Sequence, residues 1–174
     1  MRFGTVQVYT GDGKGKTTAA LGQALRASGH GLKVFVIQFM KGSKNYGELK
    51  AVKSFPNFTI EQYGLDTFVK KGAPSEKDLE LAQKGFNKAK EIIKSSKYDM
   101  VILDEINVAI DYGLLELNEV VQLIKQKPKS VELILTGRYA PLQILALADL
   151  VTEMKELKHH YSTKGIQARE GIEY

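Results

Sequence analysis

Residues 10–18 read Thr-Gly-Asp-Gly-Lys-Gly-Lys-Thr-Thr, a composition and spacing that suit phosphate binding. The segment follows an alternating apolar run and opens a helical pattern, and a glycine-rich turn between strand and helix leaves backbone N–H groups free to bind a phosphate. Gly13 and Gly15 lack a Cβ atom, so the backbone can approach a ligand closely. Lys16 can reach a terminal phosphate, and the Thr17 hydroxyl can ligate Mg²⁺. The predicted nucleotide-binding residues are Gly11, Asp12, Gly13, Lys14, Gly15, Lys16, Thr17 and Thr18. The alternative is a solvated Gly/Lys turn without a ligand.

Two carboxylates, Asp104 and Glu105, directly follow the apolar run Met-Val-Ile-Leu at residues 100–103. A buried strand of this kind delivers them to the carboxyl edge of a sheet, beside the phosphate loop, where they can bind Mg²⁺ directly or through water. Thr17, Glu105 and Asp104 are therefore the predicted metal site. Taken alone, two acids at the end of a strand can also be turn residues.

Arg138 follows the next apolar strand in the segment Thr-Gly-Arg at residues 136–138. At the same sheet edge its guanidinium could stabilise charge that builds on a leaving polyphosphate. Lys16 and Arg138 are accordingly the predicted catalytic residues. The alternative for Arg138 is a surface arginine in a tight turn.

Strand-like and helix-like segments alternate along the chain, which predicts βαβ units. The predicted strands cover residues 3–9, 33–39, 57–63, 100–103, 131–135 and 150–154, and the predicted helices cover 16–29, 117–125, 141–148 and a long stretch starting at Ser75. Ser75 followed by Asp78 is a helix-capping pattern. Apolar residues then recur at helical spacing and predict one buried stripe: Leu79, Ala82, Phe86, Ala89 and Ile93. We predict an α/β fold over residues 1–174, with a mostly parallel central sheet flanked by helices, of the P-loop NTPase-like (RecA-like) class, forming a single nucleotide-binding domain.

Composition limits the possible functions of the 174 residues. The chain has no cysteine, which excludes disulfides and thiolate chemistry. It has no apolar run long enough to span a bilayer and no signal-peptide pattern at its start, so we expect a cytoplasmic protein without a membrane partner. The net charge of +5 favours anionic ligands or partners. The lysines are scattered along the chain rather than clustered in one long basic run, so we expect no nucleic-acid partner.

Motifs spread over nearly the whole chain match one protein family. They are residues 10–20, Gly-His-Gly at 29–31, Gln-Phe-Met-Lys-Gly at 38–42, Gly-Glu at 47–48, Leu-Asp-Glu at 103–105, Thr-Gly-Arg at 136–138 and the segment 164–174 that ends Gly-Ile-Glu-Tyr. On these motifs the chain resembles the P-loop type of ATP:corrinoid adenosyltransferase, also called cob(I)alamin adenosyltransferase. The shortened glycine loop, with Thr10 in place of a first glycine, is a feature of that family. The chain differs from it at Asp12, where the family usually has Asn, and at residues 65–68, where an aromatic-rich stretch often includes Trp.

The resemblance implies transfer of the 5′-deoxyadenosyl group of ATP to the Co(I) of a corrinoid, either cobalamin or a precursor, with release of triphosphate. It implies ATP as co-substrate. We expect Mg²⁺ as cofactor, with Thr17 and Glu105 as metal ligands and Asp104 acting through another ligand or through water. We also expect a homodimer and, from the positive charge, an acidic electron donor such as a flavodoxin. The alternatives are a P-loop ATPase, a small-molecule kinase, or a nucleotide-binding regulatory protein without transferase activity.

Overall fold

The computed structural model describes residues 3–174 as a six-stranded sheet with helices on both faces. The strands are β1 (Val6–Thr10), β2 (Val34–Phe39), β3 (Phe58–Tyr63), β4 (Met100–Asp104), β5 (Glu132–Thr136) and β6 (Leu150–Glu153). Their order across the sheet is β3-β2-β4-β5-β1-β6, and every pair of neighbours is parallel. Because the strands are parallel, all six carboxyl ends meet at one edge, which is where this class of fold binds ligands.

Residues 3–174 form seven helices, of which six lie between strands and the last follows β6. They are α1 (Lys16–Gly29), α2 (Gly47–Ala51), α3 (Glu76–Ser95), α4 (Ile106–Asp111), α5 (Leu117–Lys125), α6 (Leu142–Leu145) and α7 (His160–Lys164), with a 3-10 turn at Val52–Ser54. None of the helices in this described part of the chain is long and apolar enough to cross a membrane.

Two apolar layers hold the helices to the sheet, one on each face. Small side chains of α1, among them Ala20 and Ala24, pack on Val36 and Ile102 of the central strands. Larger side chains of α3, α4 and α5, including Phe86, cover the other face. The interior strands β2 and β4 are buried along their whole length, which explains their nearly unbroken apolar sequences. Because both faces of β4 are packed, the strand is fixed within the sheet, and this fixes the position of Asp104 and Glu105 at its end.

The α/β class and the parallel sheet are confirmed, and so are the limits of α1 and α5. Ser75 caps α3 reciprocally with Asp78, as its sequence predicts. One member of the predicted stripe is wrong, because Leu79 lies in the first turn of α3 and is 39% exposed. The prediction for residues 141–148 is too long, since α6 covers only four of them. Helices α2, α4 and α7 were not predicted, because each is only five or six residues long and carries no full period of an apolar stripe.

Candidate active site

The phosphate loop joins the end of β1 to the start of α1 at the carboxyl edge of the sheet. Gly11 and Gly15 have φ values of +94° and +121°, which side-chain-bearing residues rarely adopt. Gly13 is required for a second reason besides ligand approach. A Cβ atom there would lie 2.8 Å from the Met154 carbonyl oxygen, the same oxygen that accepts a hydrogen bond from the Gly13 N–H. The segment after β6 therefore supports the loop from behind.

Lys16 folds back over its own loop. Its Nζ donates to the carbonyl oxygens of Gly11 and Gly13, both at 2.7 Å, and the residue is only 8% exposed. Burial lowers the pKa of this ammonium, and the charge of Glu105 partly opposes that shift. The loop thus presents a desolvated cation, held in one place by two hydrogen bonds, at the point where the sequence predicts phosphate binding.

Asp104 connects the phosphate loop to three other segments. Its Oδ1 accepts from the hydroxyls of Thr17 at 2.8 Å and Thr136 at 2.7 Å, and its Oδ2 accepts from Lys41 Nζ at 2.8 Å and Gln38 Nε2 at 3.3 Å. Burial alone would raise the pKa of this carboxyl, but the charge and hydrogen bond of Lys41 and the two hydroxyls outweigh burial and hold it below its ordinary value. Asp104, at the end of β4, therefore carries a fixed negative charge beside Thr17.

Glu105 follows in the left-handed conformation, with φ +64°. Its backbone N–H donates to Thr136 Oγ1 at 3.0 Å, and its side chain lines the cavity beside Lys16. Burial, followed by the negative charge of Asp104, raises the pKa of the Glu105 carboxyl. The two neighbouring acids therefore differ in their surroundings. Four donors hydrogen-bond to Asp104, whereas the side chain of Glu105 lines the cavity.

Arg138 lies in the loop after β5 and lines the same cavity. It is exposed, and it is close enough to shift the pKa values of Lys16 and Glu105 through its charge. The structure therefore brings the two predicted catalytic residues and the three predicted metal-site residues to one cavity edge.

The cavity has a volume of about 950 Å³ and is bounded on one side by the last residues of the chain. Lys14 Nζ donates to the Ile172 carbonyl oxygen at 3.1 Å and to Glu173 Oε1 at 3.2 Å. Glu173 also binds Arg169, which, with the Lys14 contact, lowers the pKa of Glu173 to about 2. These contacts hold the Gly-Ile-Glu-Tyr segment against the phosphate loop.

Comparison with known proteins identifies the family to which this site belongs. The family model described as ATP:corrinoid adenosyltransferase BtuR/CobO/CobP matches residues 2–174. The chain belongs to the ATP:corrinoid adenosyltransferase family. It is 40% identical to a corrinoid adenosyltransferase of Escherichia coli (strain K12) over 171 residues, which are 98% of this chain and 86% of that protein. It is 38% identical to a corrinoid adenosyltransferase of a Sinorhizobium species, over 98% of this chain and 80% of that protein. The resemblance drawn from the motifs is confirmed, and the chain is an enzyme that transfers an adenosyl group from ATP to a corrinoid.

The adenosyltransferase site contains polar residues that were not predicted as site residues. Lys41 and Gln38 reach Asp104 from β2 and the loop after it, and Gln38 Nε2 also donates to Glu48 Oε1 at 3.1 Å. Gln62 of β3 in turn donates to Gln38 Oε1 at 3.0 Å. The signal was available in the motif at residues 38–42, where a glutamine interrupts an otherwise apolar strand. A glutamine at a fully buried strand position requires polar partners, and these are the partners.

The loop that departs from the adenosyltransferase pattern, residues 64–74, borders the same cavity. Phe68 lines it and is fully exposed, whereas Val69 packs against the core. Lys71 pairs with Asp111 at 2.5 Å and lies over the rings of Tyr112 and Tyr139 at 5.7 and 5.1 Å. The loop is therefore anchored at two points that directly follow the aromatic ring of Phe68, which lines the cavity.

Proposed function

We propose that this chain transfers the 5′-deoxyadenosyl group of ATP to the Co(I) of a corrinoid, cobalamin or a precursor, and releases triphosphate intact, with residues 1–174 acting as one nucleotide-binding domain. The observation that carries this proposal is the hydrogen bond between Thr17 and Asp104, which joins the phosphate loop to the acidic strand end at 2.8 Å inside a cavity lined by Lys14, Lys16 and Arg138. Such a cavity suits a polyphosphate that must leave as an anion.

The reaction forms one bond and breaks one bond. The cobalt lone pair attacks the ribose 5′-carbon, a Co–C bond forms, and the C5′–O bond breaks with its electron pair leaving on triphosphate. Co(I) is already a strong nucleophile, so the enzyme requires no general base. The protein aligns the two substrates and places Lys14, Lys16, Arg138 and the loop N–H groups where negative charge develops.

The products test this assignment directly. Anaerobic incubation with Mg-ATP and chemically reduced corrinoid should yield a light-sensitive Co–C product, detected by absorbance, and triphosphate in equal amount, detected by phosphorus NMR. Omission of the reductant is the control, because Co(III) and Co(II) lack the nucleophilic electron pair. Stoichiometric release of ADP would instead indicate an ATPase or a kinase.

The donor set fits Mg²⁺, and we propose that Thr17 and Glu105 hold it, with Asp104 acting through water. Among residues 3–174 no cluster of three or more His, Cys, Asp or Glu side chains could hold a metal ion. Mg²⁺ does not need such a cluster, since it is usually bound by one or two carboxylates together with substrate phosphates. Burial and the charge of Asp104 raise the pKa of the Glu105 carboxyl, an effect that a bound cation would oppose. When bound, the ion neutralises charge on the triphosphate.

Glu105→Gln should raise the Mg²⁺ concentration required for ATP binding by roughly tenfold or more, the scale for losing one partner in a metal site. Excess Mg²⁺ should partly restore activity, because the change weakens metal binding without removing the phosphate loop. ATP binding measured by calorimetry across a Mg²⁺ series provides a readout independent of turnover. Glu119→Gln on the exposed side of α5 is the control. Unchanged Mg²⁺ dependence would move the role from Glu105 to Asp104.

We also propose an acidic electron donor, such as a flavodoxin, that reduces the bound corrinoid. The support is the net charge of +5. Electrostatic docking weakens with salt because exposed charges are screened over about 8 Å at physiological ionic strength. Donor-dependent turnover should therefore fall with added salt while ATP affinity stays constant, and a salt-independent rate would contradict the proposal.

We propose a homodimer, supported by the exposed apolar residues at one edge of the sheet. Among residues 3–174, strand β6 pairs only with β1, and its Leu150 and Val151 are 44% and 46% exposed. An unprotected edge of this kind is a pairing surface. Sedimentation equilibrium gives the mass in solution, and a monomer at micromolar concentration would contradict the proposal.

A further inference from the structure

Asn107, in the first turn of α4, is fully buried yet only partly hydrogen-bonded. Its Nδ2 donates to the Gly137 carbonyl oxygen at 3.3 Å, and within the described residues its Oδ1 has no partner. A buried polar atom without a partner costs about 1–3 kcal/mol. A leucine has the same branching and would remove that unpaired oxygen, but it would also leave the Gly137 carbonyl without its Nδ2 donor, so the amide serves that carbonyl rather than apolar packing.

The one partner of Asn107 lies next to Arg138. The Gly137 carbonyl belongs to the peptide group that leads into Arg138, and Gly137 has φ +123°, which effectively requires glycine. A Cβ atom at this glycine would lie 3.1 Å from Asn107 Cβ, so the two residues are in close contact. The hydrogen bond from Asn107 therefore fixes the plane of the peptide from which the arginine side chain starts.

Other contacts hold the rest of this loop but not that peptide plane. The Gly137 N–H donates to the Tyr9 carbonyl oxygen at 3.2 Å, and the Ala140 N–H donates to Thr10 Oγ1 at 3.3 Å. Between these two points the chain includes Tyr139 in the left-handed region, with φ +62°. Among residues 3–174, the Asn107 amide makes the one hydrogen bond to the peptide group between Gly137 and Arg138, from which the guanidinium extends to act on Lys16 and Glu105 through its charge.

We propose that Asn107 is a positioning residue that directs Arg138 into the adenosyltransferase cavity. The inference rests on the proposed role of Arg138 in stabilising the leaving triphosphate. Asn107 itself does not line the cavity and acts through the Gly137 peptide.

A double-mutant cycle tests this inference. Asn107→Leu should lower kcat by about ten- to a hundredfold, the scale for misplacing a catalytic group, and should leave the KM for the corrinoid unchanged. Its melting temperature should stay close to that of the wild type, because the unpaired oxygen is removed while the Gly137 carbonyl loses its donor. In an Arg138→Ala background, Asn107→Leu should cause no further loss of kcat. Asn107→Ala, which leaves a cavity, should show the same coupling with a lower melting temperature.

The possible outcomes test the roles of Asn107 and Arg138 separately. If the losses of kcat in the two single variants multiply in the double variant, or if Asn107→Leu keeps the wild-type kcat, the role of Asn107 is overturned. The proposed role of Arg138 would stand in either case. A wild-type kcat in Arg138→Ala would remove Arg138 from the proposed function and leave Asn107 nothing to position. A variant Asn107→Leu that does not fold would show that the amide is required for packing, which also contradicts the inference. Asn118→Leu on the exposed side of α5 is the control and should retain wild-type kcat.

Discussion

Replacement of Lys16 by alanine should reduce turnover by roughly 10²–10³-fold, the scale for losing one preorganised group that stabilises developing charge. The size of the effect follows from the burial of Lys16 and from the two carbonyl oxygens that hold its ammonium in place. A group fixed before the reaction requires no reorganisation as the triphosphate leaves. Single-turnover formation of the Co–C product separates this loss from any change in product release.

Two further lysines serve as controls for this prediction. Lys77→Ala removes a lysine that pairs with Glu80 on the surface of α3, and it should leave turnover within a few-fold of the wild type. Lys14→Ala should have an intermediate effect, because the Lys14 side chain is 46% exposed and its ammonium also binds the C-terminal segment. Corrinoid binding in the absence of nucleotide should survive all three changes. Turnover of Lys16→Ala within threefold of the wild type would contradict the role assigned to this residue.

Asp104→Leu should lower the free energy of unfolding by about 3–5 kcal/mol, the usual cost of breaking a buried ion pair from one side. The change leaves Lys41, whose side chain is 16% exposed, without its hydrogen-bonded counter-charge, and it removes the acceptor for Thr17 and Thr136. Urea unfolding in the absence of ligand measures the loss. The double variant Asp104→Leu with Lys41→Met should recover part of it, because both charges are then replaced by apolar groups.

A surface pair of the same chemistry provides the matched control. Glu91→Gln breaks the contact between Lys88 and Glu91 on α3, where the carboxylate is 67% exposed. The expected change is below about 1 kcal/mol, since exposed pairs are solvated and screened. An Asp104→Leu protein as stable as the Glu91→Gln protein would show that the Asp104 cluster does not stabilise the fold.

Local signals in the sequence were sufficient for most of the secondary structure. The capping box at Ser75 and Asp78 and the apolar run ending at Asp104 depend on residues close together in the chain, so pattern and propensity identify them. Leu79 was placed wrongly because the 3.6-residue period identifies one face of a helix but not how far along the helix the core extends.

The site was predictable as a set of residues but not as an arrangement. Phosphate binding follows from the glycine-rich loop itself, whereas the contact between Lys41 and Asp104 joins residues 63 positions apart. That contact requires β2 and β4 to be neighbours, and the strand order is not encoded in any one segment. The orientation of Arg138 depends similarly on Asn107, which belongs to a helix too short to give a periodic signal.

The position of β1 in the sheet has a consequence for the order of folding. The strand that precedes the phosphate loop lies between β5 and β6, which are formed by residues more than a hundred positions later in the chain. It therefore has no strand neighbours until most of the protein has been synthesised, and contacts this distant in sequence form slowly. The loop also depends on Met154, just after β6, for the support of Gly13. Nucleotide affinity therefore requires β5 and β6 to be in place, and a nascent chain that ends before β6 lacks the support of its phosphate loop.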